Sequence, residues 1–333
     1  MNVSRRQCLA LLSAGFSGAA MAPGAARALV GRWREVASRT DGVVGVAALH
    51  LSSGDRVSLR GDERFPLASV CKVPIALNIL AMVDEGKWRL DDLIDIQAQD
   101  VWTGVSDIAE RWPERKRYSV DELLARMVAR SDNTAVETLW RVGGGFPAMT
   151  LRFRQWRLHG IRIDRSEREC ALNASGVQRI PSVEQWTPGM VDELAAQIPP
   201  ESRLAAMRRF LADRRDTATP DATVKLLKGL YRGDLLSRSS TARLIQIMEG
   251  TSTGRARLRG LLPPGTIVAH KSGTTASPQG LNGATNDVGV VTLPRDAGRF
   301  AIAVYVKAST RDDAARDSVI ANIARITFDY WST

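Results

Sequence analysis

Apolar and polar or small residues alternate from Gly42 to Leu51 (GVVGVAALHL), a polar turn Ser52-Ser53-Gly54-Asp55 follows, and the alternation resumes from Arg56 to Leu59. A period of two lines one face of a strand, so this stretch predicts a β-hairpin. Three further strands are predicted near the other end, at Thr266 to Thr274, Asp287 to Leu293 and Arg299 to Lys307, with a closing helix from Arg311 to Tyr330. The middle of the chain reads as helical. Strands at both ends around a helical centre predict an α+β fold: an antiparallel sheet built from both chain ends, helices on its faces, and a separate helical lobe over about residues 70–230.

Within that centre, Ser119 to Arg130 (SVDELLARMVAR) has the form of a helix preceding a polar turn. Pro188 to Ile198 and Pro200 to Arg214 carry helical periodicity with a proline-bounded start, which predicts a compact helical hairpin.

The chain has 333 residues and 44% hydrophobic content, with no apolar stretch long enough to cross a bilayer as a mature segment, so one large or two intimate globular units are expected and no stable membrane anchor. The first 28 residues differ. Ser4-Arg5-Arg6-Gln7-Cys8-Leu9 precedes a short apolar run, and Ala26-Arg27-Ala28 has the form of a cleavage site, so residues 1–28 read as a twin-arginine export signal and the mature domain as 29–333. A periplasmic or secreted location follows. The net charge of +10 is spread over single and paired basic residues without aromatic interleaving, which argues against a nucleic-acid partner and suits a carboxylate-bearing substrate. His50, His159 and His270 are scattered and form no metal motif. His270 is expected on the strand face opposite Lys271. Cys71 is expected as a buried thiol; the sequence leaves open whether it pairs with Cys170.

Three short motifs carry the chemistry. Ser69-Val70-Cys71-Lys72 places a hydroxyl and an amine three positions apart at the start of an apolar run, and an amine in a partly dry site can move the proton of an otherwise poor nucleophile. Ser131-Asp132-Asn133 follows the predicted helix, and Lys271-Ser272-Gly273-Thr274 closes a predicted strand. In this order the three match S-x-x-K, S-D-N and K-T-G, with Ser272 for the threonine, and the chain resembles the class A serine β-lactamases from about Val43 onward.

That resemblance implies an α/β/α sandwich with the site between sheet and helical lobe, and a cofactor-free, metal-free monomer acting on a small-molecule β-lactam. It implies catalytic roles for Ser69, Lys72, Ser131 and Glu167: nucleophile, activating amine, proton relay and base for the hydrolytic water. Asn133, Lys271, Ser272, Gly273 and Thr274 would bind substrate, with Arg257 as a carboxylate clamp, although Arg255 and Arg259 alternate with it. Asp164-Arg165-Ser166-Glu167 resembles the start of the family's omega loop and Arg215-Asp216-Thr217 its end, closed by an Arg165–Asp216 ion pair. The segment between is far longer than the family carries, with the extension at about 174–214, over or beside the site. Two registers for the base remain: Glu167 by uninterrupted count from Asn133, and Glu169 by the pattern Glu169-Cys170-Ala171-Leu172-Asn173. With Glu167, Ala171 stands where the family has an asparagine. A peptidase-like or esterase-like serine hydrolase, or a sensor that stays acylated, are the alternatives.

Overall fold

The structure, a computed structural model, describes residues 23–332. The expected export signal therefore lies outside the described residues as far as residue 22. Its last part falls in helix α1 (Pro23–Ala37), whose first buried side chain is Leu29. The chain continues through β1 (Val43–His50), β2 (Arg56–Leu59), β3 (Phe65–Pro66), α2 (Lys72–Asp84), β4 (Leu93–Asp95), β5 (Arg117–Ser119), α3 (Val120–Ala129), α4 (Asn133–Val142) and α5 (Gly145–Gln155). Then come α6 (Glu167–Ser175), α7 (Met190–Ala196), α8 (Pro200–Ala212), β6 (Thr217–Ala218), α9 (Pro220–Arg232), α10 (Arg238–Glu249), β7 (Val268–Thr274), β8 (Thr285–Thr292), β9 (Arg299–Lys307) and α11 (Asp313–Trp331).

Five strands form one antiparallel sheet in the order β2-β1-β9-β8-β7, so the two ends of the chain meet at β1 and β9, with Val43 opposite Lys307 and His50 opposite Phe300. The period of two in β9 sorts its side chains into two cores. Ala301, Ala303 and Tyr305 join the core shared with α2, α3, α4 and α9, whereas Phe300, Ile302, Val304 and Val306 join the core under α1 and α11. This is the helix-sheet-helix sandwich of the expected α+β class. The lobe boundary expected near residue 230 falls inside α9, which packs on β1 and β9 and bonds to the sheet through Thr223 and Tyr305 (2.8 Å between hydroxyls).

Helix α2 is buried from Lys72 to Ala81, as its apolar composition on every face requires. Ser119 caps α3 in a reciprocal pair with Glu122, and Asp132 caps α4. A two-residue pairing too short to show in the sequence, Phe65 with Ala218 and Pro66 with Thr217, ties the segment before Ser69 to the end of the omega loop.

Candidate active site

Ser69 lies in a short 3₁₀ turn, Ala68–Cys71, that leads directly into α2. The turn is held from three sides. Asn286 of β8 donates through its side-chain amide to the carbonyls of Pro66 (2.8 Å) and Leu67 (3.0 Å). Leu67 N–H donates to the Asp216 carbonyl at 2.9 Å. Gly273 of β7 packs so closely that a Cβ there would sit 3.0 Å from both the Leu67 carbonyl oxygen and the Ser69 nitrogen, so the motif needs glycine for its close approach. Ala68, Ser131 and Asp216 have positive φ (46°, 61° and 51°), a conformation costly for residues with a Cβ and retained where surrounding contacts impose it.

Six of the expected residues form one hydrogen-bonded network. Ser69 Oγ donates to Glu167 Oε1 at 2.7 Å, and Lys72 Nζ lies 3.2 Å from Glu167 Oε2. Lys72 also donates to the Ser131 carbonyl (2.8 Å), Ser131 Oγ (3.2 Å) and Asn133 Oδ1 (2.8 Å). Lys271 Nζ approaches Ser131 Oγ from the other side at 3.1 Å and donates to the Ser272 carbonyl at 2.7 Å. The direct contact between Ser69 and Lys72 expected from the motif is thus replaced by a bridge through Glu167. An ammonium has three N–H donors, and Ser131, Asn133 and Glu167 occupy them.

Both lysines are fully buried. Burial, and then the charge of Lys72, pulls the Lys271 ammonium down to about 7, so an incoming carboxylate would favour its charged form. Cys71 Sγ lies 3.8 Å from Glu167 Oε2. Cys71 and Cys170 are both free, and burial pushes both thiols up, which keeps them neutral beside the carboxylate.

The local fold separates the two candidate glutamates. Ser166 caps α6, and Glu169 closes the reciprocal bond to the Ser166 N–H at 2.8 Å, so its carboxylate is spent on the cap. Glu167, at the first helical position, is free to face Ser69. Ala171, one turn on, lines the same cleft. The Arg165–Asp216 pair forms as expected, Nε to Oδ2 at 2.5 Å, and Asp216 Oδ1 also accepts from the N–H groups of Asp164 (2.7 Å) and Arg165 (3.0 Å).

Ser272 and Thr274 face the cleft, with the Ser272 hydroxyl 2.8 Å from that of Thr253. Arg257 is buried behind them. It donates to Thr274 Oγ1 (2.7 Å), to the carbonyls of Gly273 (3.1 Å) and Asn286 (3.0 Å), and to Asp317 (2.6 Å). Arg255 and Arg259 have no such reach into the site; Arg259 bonds the carbonyls of Glu249 and Val268. His270, behind Lys271 as expected, pairs with Asp287 at 2.9 Å inside the sheet.

A cleft of about 430 Å³ runs along Ser69, Ser131, Asn133, Glu167 and Thr274. Its far wall comes from the long insertion, through Val191, Asp192 and Ala195 of α7 and Phe210 of α8. The two helices and a place over or beside the site were legible, but the expected hairpin is not formed: α7 and α8 each pack on α6, through Leu172 with Val191 and through Ala174 with Met207 and Phe210. Glu137 escaped the sequence reading. It is buried in α4 and accepts from Arg168 N–H, next to Glu167, at 2.9 Å. An acidic residue among the buried positions of α4 was the available signal.

The family model described as "Beta-lactamase enzyme family" matches residues 28–331. The chain is 31% identical to Beta-lactamase VEB-1 of Pseudomonas aeruginosa over 86% of its own length and 85% of that protein's. A β-lactamase structure from Chitinophaga pinensis superposes with a TM-score of 0.75 at 33% identity, covering 91% of this chain and 98% of the other. A reconstructed ancestral class A β-lactamase superposes with a TM-score of 0.72 at 32% identity, covering 90% and 99%.

Proposed function

We propose, from the premise that this chain belongs to the beta-lactamase enzyme family and within it to class A, that it opens the β-lactam ring through an acyl-enzyme on Ser69 and releases the product with Glu167. The observation that carries this reading is the continuous chain Ser69–Glu167–Lys72–Ser131–Lys271. Ser69 Oγ attacks the lactam carbonyl while its proton passes to Glu167 Oε1, held beside Lys72. Ser131 Oγ, between the two ammonium groups, gives its proton to the departing lactam nitrogen and takes one from Lys72, which in turn takes from Glu167 the proton that came from Ser69, so that Glu167 ends acylation ionised. The Ser69 and Thr274 N–H groups stabilise the oxyanion, a contribution of about 10²–10³ in rate per donor. In the second half, Glu167 takes a proton from water as the oxygen attacks the ester, and returns it to Ser69 Oγ as the ester C–O bond breaks.

Substrate binding is divided along the cleft. Lys271, Ser272 and Thr274 receive the carboxylate, and Gly273 lets β7 approach. Arg257 acts mainly by aiming the Thr274 hydroxyl and adding positive charge behind it. Asn133, held by Lys72 and by its own N–H to the Val105 carbonyl (2.9 Å), bonds the side-chain amide. Export with cleavage after Ala28 is supported by the twin arginines and by Leu29 being the first buried residue of α1. Ala171 favours a second reading, a protein that acylates and turns over slowly, because a methyl group replaces a polar contact for the water.

Mass spectrometry with a chromogenic cephalosporin separates these readings. Ser69→Ala should form no adduct, and Glu167→Ala, in which Lys72 freed from the carboxylate can still take the Ser69 proton, should accumulate one as deacylation slows by about 10²–10⁴. If Glu169→Ala traps the adduct and Glu167→Ala turns over normally, the base is Glu169. A wild-type protein that stays acylated for hours would establish the slow reading.

A further inference from the structure

The cleft does not end at the reacting groups. Beyond Glu167, Ala171 and Ala174 line it with small side chains, and the room they leave is bounded by Val191, Asp192 and Phe210 of the insertion. A second cavity of about 390 Å³ continues beneath α8 and shares Ala174, Ser175, Ala195 and Ala276 with the first. The wall is a packed structure. Leu172, Trp186 and Val191 belong to one small core, and Ala174, Met207 and Phe210 to another.

The charges on this wall are unbalanced. Among the described residues that line the cleft, Glu167 and Asp192 are the acidic ones. Glu167 is engaged by Ser69 and Lys72, whereas Asp192 is exposed and its one side-chain bond is from the neutral Thr103 hydroxyl at 3.4 Å. Arg203, which lines the second cavity, is spent on the carbonyls of Ile198 (2.7 Å) and Ala196 (3.1 Å). Positive charge gathers instead around Ser131 and Thr274, from Lys271 and Arg257. An apolar recess with one unpaired carboxylate, in a cleft whose carboxylate-binding part is cationic, complements a zwitterion.

We propose that the insertion forms the seat of the substrate's acylamino side chain and that Asp192 selects β-lactams bearing an ammonium group there. This rests on the β-lactamase reading. Because Asp192 is exposed in the free protein, its attraction is that of a screened surface ion pair, worth about two- to fivefold in kcat/KM and weakened by salt.

The test uses three penicillins that differ only at the side-chain α-carbon: benzylpenicillin with hydrogen, ampicillin with ammonium, carbenicillin with carboxylate. In Asp192→Asn, with folding checked by circular dichroism, the ampicillin to benzylpenicillin ratio of kcat/KM should fall about two- to fivefold and the carbenicillin ratio should rise. Asp192→Lys should enlarge both changes, and added salt should shrink the wild-type ampicillin preference. Ratios that stay the same, or move together, in both variants overturn the subsite while leaving the β-lactamase reading intact. A wild-type protein that neither hydrolyses nor is acylated by any of the three overturns both.

Discussion

Glu137 shows how one buried side chain couples the omega loop to solution conditions. Burial, opposed by the Arg168 charge, raises its carboxyl from 4.5 to about 7, and the Arg168 N–H bond fixes it behind the backbone that carries Glu167. A carboxyl with a raised native pKa contributes stability that is fully present below its unfolded pKa and lost as pH rises through about 7. The neutral amide of Glu137→Gln should therefore match wild type near pH 5 and be more stable near pH 8, by up to roughly 3 kcal/mol. Urea unfolding at the two pH values measures the gap. A constant difference would show that Glu137 is not the titrating group.

At the scale of elements, α6 is aimed by its ends. Ser166 and Glu169 cap it, while Arg165, just before it, is clamped by Asp216 and by Asn173 of its own last turn (2.7 Å). Asp216 also receives the N–H of Leu67 on its carbonyl, so one residue positions both the base-bearing helix and the nucleophile turn. Asp216→Ala leaves the buried Arg165 guanidinium with Asp213 (3.4 Å) as its remaining carboxylate partner and should cost about 1–3 kcal/mol in stability. The functional effect should fall on deacylation, read as a larger burst followed by slower steady-state hydrolysis of a chromogenic cephalosporin. An unchanged ratio of burst to steady rate would mean that the cap alone orients Glu167. The sequence carried this pairing as two separated fragments, Asp164-Arg165 and Arg215-Asp216, and left Glu167 and Glu169 as two registers, whose carboxylates the cap at Ser166 sends to different partners.

For the whole molecule, joining the chain ends creates the layer that backs the sheet. Trp33 of α1 is fully buried against α11 and donates its indole N–H to Thr327 Oγ1 at 3.1 Å. Trp33→Ala should cost about 3–5 kcal/mol, and thermal denaturation should show it as a lower Tm, with kcat/KM of the folded fraction unaffected because the site lies across the sheet. By itself the sequence determined the five strands of the main sheet, the central apolar run, the three motifs and the helical character of the insertion. Each is a local matter, set by a period of two or 3.6, by caps and prolines, or by residues a few positions apart. Tertiary structure alone decided that Glu167 spans Ser69 and Lys72, that Arg257 lies behind Thr274 beside Asp317, that Glu137 touches the base-bearing backbone and that α7 and α8 reach the cleft by packing separately on α6. Those contacts join residues far apart in the chain, and where they meet depends on how separate elements pack, which no local pattern of side chains encodes.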